Sequence, residues 1–146
     1  MAFRQSTQAA TGAVRGAITA SQPTVVLVDY VIPAGVLVND ITEMGAIPHG
    51  CRVTDVAVSS DGLGVGCTVD VGVLSGVYGK NDAARTIGNE FHAAATVATA
   101  GMVGGMTKNP GAFVPAESAT GFGVKFLGAA PTAAKKLTVA LTCVSK

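Results

Sequence analysis

Residues 52–74 read RVTDVAVSSDGLGVGCTVDVGVL, and this stretch decides the fold. Two Val-rich runs of strand length flank Asp61-Gly-Leu-Gly-Val-Gly66. Val alternates there with Thr, Asp and Ser, the period of two that a pleated strand with one buried face requires. In the second run Cys67, Val69, Val71 and Val73 share one face, while Thr68 and Asp70 share the other. Gly62, Gly64 and Gly66 supply the positive φ that a tight connection needs. The segment is therefore expected to form a hairpin with an extended glycine loop. The echo between VTDV (53–56) and TVDV (68–71) fits two paired strands.

The same pattern continues outward. Residues 24–32, TVVLVDYVI, are apolar at nearly every position, as in a strand covered on both faces. A Pro33-Ala-Gly35 turn follows, then a short strand over 36–44. On the C-terminal side, 75–90 (SGVYGKNDAARTIGNE) is the most polar stretch and the longest loop. Residues 91–100 (FHAAATVATA) fit a strand or a short helix, and 101–120 read as loop. Phe122, Val124 and Phe126 alternate over 121–127. The cleanest strand is 136–144, with Leu137, Val139, Leu141 and Cys143 inward and Lys136, Thr138 and Thr142 outward. Seven to eight short strands separated by Gly/Pro turns predict an all-β, jelly-roll-like β-sandwich over residues 23–146. Residues 1–22 are rich in Ala, Thr, Ser and Gln without a clear period, and are expected to form an extended N-terminal arm.

Composition narrows the function. The chain has 146 residues, 13% of them charged, with a net charge of +1. Ordinary soluble domains carry about 25% charged residues. The basic excess of a nucleic-acid binder is missing. No run of 18 uninterrupted apolar residues predicts a membrane helix, and no secretory signal is visible. Cys51, Cys67 and Cys143 are odd in number and widely spaced, so a disulfide framework is not expected and synthesis in a reducing cytoplasm is.

The candidate chemistries fall away on pattern. Gly62-Leu-Gly64-Val-Gly66 leads into a Thr/Val strand, whereas a dinucleotide fingerprint opens a helix. Gly79-Lys80 lacks the spacing of a phosphate loop. His49, Cys51, Cys67 and Cys143 lack the paired spacing of zinc ligands, and Asp61 or Asn81-Asp82 are too thin for calcium. His49 and His92 are the only histidines, and no nucleophile elbow accompanies them. No catalytic, cofactor or metal site is expected. Asp29 stands inside an apolar strand and is expected to be buried and paired, with Arg52 or with an arginine of another subunit.

A mean hydropathy of +0.48 with so little charge implies a surface covered by other subunits. Fully extended, the first 22 residues span ~70 Å at about 3.3 Å per residue. Such an arm orders by lying along a neighbour, with Phe3, Val14 and Ile18 as apolar anchors and Arg4 and Arg15 as charge contacts.

IPHGCRVTDVAVSSDGLGVGCTVDVGVLSG (47–76), followed by GFGVKFLGAAPTAAKKLTVALTCV (121–144), resembles the head decoration or cement proteins of tailed bacteriophages. The likeness covers about half the chain and excludes 1–22 and 77–120. It implies a jelly-roll-like domain on the exterior of a virion, made in the host cytoplasm. There it would bind the major capsid protein and bridge neighbouring subunits against internal DNA pressure. It further implies a homo-oligomer, a two-fold dimer before a trimer, with no enzymatic activity, cofactor, direct nucleic-acid contact or membrane contact. A tail or receptor-binding β module is the alternative structural role, and a small enzyme or ligand-binding domain the other class.

Overall fold

A computed structural model describes residues 2–10, 23–48, 50–103 and 120–145. After a short strand β1 (Phe3–Gln5) and one helical turn α1 (Thr7–Ala10), the described residues are all strand and loop. The strands are β2 (Thr24–Val31), β3 (Ile41–Ile47), β4 (Cys51–Asp61), β5 (Cys67–Val73), β6 (His92–Thr96), β7 (Ala100–Val103), β8 (Thr120–Gly128) and β9 (Lys136–Ser145). They form two packed sheets, one in the order β1-β3-β8-β5-β6 and the other β2-β9-β4-β7. β2 to β9 pair antiparallel, and β1 adds to β3 in parallel. From β2 to β9 the chain changes sheet at every step but one, β5 to β6. That is the jelly roll, with two four-stranded sheets closed over one core.

This topology corrects the expected hairpin. β4 and β5 lie in opposite sheets, so residues 62–66 cross between layers rather than turn within one. Each run carries one apolar face, and packing those faces against each other buries both. Val56 and Val58 of β4 thus share a single core with Val69 and Val71 of β5. The crossing is held by the Leu63 amide on Val97 O (2.7 Å) and the Thr132 amide on Leu63 O (2.8 Å).

Three other expectations change. β2 is buried on one face only, through Val26, Val28 and Tyr30, because it ends its sheet and nothing described covers its outer side. The strand expected over 36–44 begins at Ile41, because Asn39 takes a left-handed φ of 72° and the Asp40 carboxylate accepts the Leu37 amide at 3.0 Å. Residues 92–96 settle as strand, pairing with β5 in the register Thr68↔Thr96 and Val69↔Ala95.

The core is made by residues the alternation points to: Phe122, Val124 and Phe126 of β8 and Leu137, Val139, Leu141 and Cys143 of β9, all fully buried. β9 lies between β2 and β4, so its inward side chains have neighbours on both sides. Leu141→Ala removes three methyl or methylene equivalents from that position. It is expected to cost about 2–5 kcal/mol, read as a lowered midpoint in urea unfolding with an unchanged slope.

Candidate functional site

The outer face of the five-stranded sheet is not bare. Gly72 of β5 pairs with Gly123 of β8, making a flat strip where other residues would present side chains. A Cβ on Gly72 would run into the Gly88 carbonyl, and one on Gly123 into the Thr42 carbonyl. The loop 75–90 lies against this strip, which is why β3 is buried along its whole length. An isolated bridge, Leu74↔Ile87, closes the loop's base.

One ion pair pins the loop. Arg85 Nη2 stands 2.6 Å from Glu43 Oε1, and both side chains are almost wholly buried. Arg85 also donates to Ser75 O (2.6 Å) and Lys80 O (3.1 Å). The second oxygen of Glu43 accepts from Gln5 Nε2 (3.0 Å) and the Gly79 amide (3.2 Å). The Phe3 ring lies 5.2 Å from the Arg85 guanidinium carbon, a cation–π distance. Loop 75–90, β3 and the N-terminal strand β1 thus meet at one charge pair. A second knot binds the N-terminal segment: Asp40 accepts the Ala2 amide (2.7 Å) and pairs with Arg4 Nε (3.5 Å), whose Nη2 donates to Gly35 O (2.9 Å). Burial pushes the Asp40 pKa up, but the Leu37 and Ala2 amides and Arg4 outweigh it and hold the carboxyl below its ordinary range.

Of the residues expected to contact another subunit, Phe3 and Arg4 contact their own domain. The first part of the expected arm is a strand of the chain's own sheet. Val14, Arg15 and Ile18 lie outside the described residues, as does His49. Asp29 is half exposed rather than buried. It accepts from Thr138 Oγ1 at 2.6 Å and stands 4.0 Å from Lys136 Nζ, so its partner is Lys136 and not Arg52. His92 is a core residue, with Nε2 2.6 Å from Val56 O, and it ties β6 of one sheet to β4 of the other. The contact to a carbonyl assigns the ring proton to Nε2. Cys51, Cys67 and Cys143 are buried free thiols. Burial and the neighbouring Cys143 push Cys51 up to about 12, which leaves no reactive thiolate at neutral pH.

Among the described residues no cluster of three metal-binding side chains and no concave pocket occurs. Val25, Leu27 and Val31 project from the outer face of β2, and Leu37 and Val38 follow in the next loop. The sequence marked the apolar character of β2 but not its exposure. The Glu43–Arg85 pair gave no sequence signal, because its partners are 42 residues apart and each sits in an unremarkable context.

No model of a known protein family matches the chain, and neither does any curated protein. Two solved structures do match. A chain in the capsid of Ralstonia phage GP4 is 31% identical, with 99% of each chain covered and a TM-score of 0.90. A chain in the capsid asymmetric unit of cyanophage Pam1 is 22% identical, with 92% of each covered and a TM-score of 0.64; that likeness is one of fold.

Replacing Arg85 by Ala strands the Glu43 carboxylate in the protein and is expected to cost about 3–5 kcal/mol. The double variant Glu43→Leu/Arg85→Met should recover most of that loss in the same denaturation assay. For Asp40 the folded pKa is depressed, so its contribution is present above the ordinary value of 3.8 and is lost as pH falls through the folded one. The protection of the Ile41 amide, which donates to Ala2 O, should fall below about pH 4 in the wild type when its exchange is compared with that of an unstructured chain at the same pH. Asp40→Asn should exchange faster at neutral pH and lose that acid step.

Proposed function

Because the chain belongs to the phage capsid protein family of the Ralstonia phage GP4 chain, we propose that it is a cement protein of the virion. In this reading it binds the outer surface of the head and bridges neighbouring major capsid subunits, holding the shell against the pressure of its DNA. The observation that carries it is the match along 99% of both chains, which spans the N-terminal strand, the loop 75–90 and the sandwich together. Two features support it. Loop 75–90 is fastened to the sheet by a buried ion pair, as suits a part that must hold its shape under load. Its described residues offer surfaces in place of a catalytic cleft.

The sandwich has two ends. At one end β3, β5 and β7 finish and β2, β6 and β8 begin, so the loop 75–90 and the connecting segments 11–22 and 104–119 all attach there. We assign this end to the shell. Phe3 and Arg4 fasten the root of the N-terminal segment to the sandwich. Val14, Arg15 and Ile18 make the contacts with the major capsid protein. Each contact is modest, and many copies on one particle, working as an oligomer of two or three chains, make the attachment strong.

Wild-type protein should co-sediment saturably with emptied shells of the parent phage. The full-length Val14→Asp/Ile18→Asp variant should lose at least about tenfold in apparent affinity, a penalty of ~1.4 kcal/mol, with an unchanged thermal midpoint. Wild type that stays in the supernatant, or that tracks isolated tails, would sink the cement reading. A double variant that binds like wild type would sink the role given to the segment.

A further inference from the structure

Five of the eight exposed large apolar side chains among the described residues fall between positions 25 and 38: Val25, Leu27, Val31, Leu37 and Val38. Three of them project from β2, at 49%, 51% and 60% exposure. Among the described residues β2 is also the end strand of its sheet, hydrogen-bonded on one side only, to β9. The Ile32 amide donates to Lys135 O, and Ile32 O accepts the Ala134 amide, so Ile32 faces inward along the ladder. Alternation then turns the N–H and C=O groups of Val25, Leu27, Asp29 and Val31 to the free side. An edge this long and apolar is a template for another chain. Proteins that must stay apart interrupt such edges with Lys, Pro or a bulge. Between Pro23 and Pro33, β2 has none of these: its register to β9 is unbroken over eight pairs.

We propose that the β2 edge, with the adjoining loop that carries Leu37 and Val38, is covered by a second copy of this chain. The inference rests on the virion reading above and names the surface through which copies meet. Charge selects the occupant. Asp29 is the acid on this strand, and its carboxylate is already held by Thr138 and Lys136 of its own sheet. The loop 33–39 carries no charge, and Asp40 beyond it is buried and bonded. A second copy therefore meets the edge without leaving any charge buried and unpaired. A partner recognised by charge would find only Asp29 here, already paired within its own sheet. The same copies also stand at the highest local concentration around one another on a particle, so an unguarded edge meets its own kind first.

The test is the mass of the full-length chain in solution, by light scattering at tens of micromolar. Wild type is expected at two or three times the 14.4 kDa chain mass. Leu27→Lys/Val31→Lys is expected at the mass of one chain, with a cooperative melt like wild type. Leu37→Asp, placed in a loop, is the second variant should the strand tolerate lysine badly, and it should shift the mass in the same direction. Val77→Asp, exposed on the loop 75–90, should leave the mass unchanged. Wild type at the mass of one chain overturns the inference, and if that monomer still saturates shells, the cement reading survives without it. Variants that keep the wild-type mass but lose shell binding overturn it too, and give the edge to the shell. An oligomer that the β2 variants dissociate but that binds no shells upholds the inference and removes the cement reading.

Discussion

A single buried ion pair organises the place where loop 75–90 and the N-terminal strand meet the five-stranded sheet. Glu43 and Arg85 each cost several kcal/mol to take out of water, and their mutual contact and the hydrogen bonds of their other polar atoms offset that. Arg85 spends its remaining donors on Ser75 O and Lys80 O, and Glu43 accepts from Gln5 and Gly79. The consequence is an all-or-nothing arrangement. The loop 75–90 lies flat on the sheet only if the pair forms, and the pair is dry only if the loop lies flat. Gly72 and Gly121 are the steric condition for both, since a side chain at the first would meet the Gly88 carbonyl and one at the second would meet the Glu43–Arg85 pair itself.

That arrangement divides the molecule by chemistry. Charge and hydrogen bonding are concentrated where loop and N-terminal strand meet the five-stranded sheet. The four-stranded sheet shows Val25, Leu27 and Val31 along its β2 edge beside the paired Asp29 and Lys136, while Arg52 and Asp61 of β4 are exposed further along the sheet. A rigid body with a polar, strapped end and an apolar edge suits a component that must bind two unlike surfaces. It can do so without changing shape, and therefore without an ordering cost at each of many identical sites.

Much of the fold was legible from residues alone, and the failures are instructive. Period-two alternation identified the buried faces of β5, β8 and β9, because a half-buried strand leaves no other pattern. The same alternation says nothing about which strand lies alongside. That is why 52–74 read as a hairpin although its halves occupy opposite sheets. A glycine loop of five residues is long enough for either connection. β2 read as doubly covered because exposed Val and Leu look like buried ones in sequence; only the sheet order shows the strand at an edge. The strap was illegible for a different reason. Glu43 and Arg85 are ordinary surface residue types, and their burial depends on loop 75–90 returning over a sheet that does not exist until the strands assemble.

The sheet order also dictates when the molecule can come into being. β9 is the last strand of the sandwich to leave the ribosome, yet it stands between β2 and β4 and supplies both with their partner. Until residues 136–145 have been made, Thr24–Val31 has no ladder to join, and the core lacks Leu137, Val139 and Leu141. Pairings that span more than a hundred residues form slowly, because the loop must close before the contacts reward it. The sandwich therefore closes only after β9 has joined it. A chain cut short within β9 yields no half-sandwich able to occupy a place on a particle, so only complete copies compete for the sites.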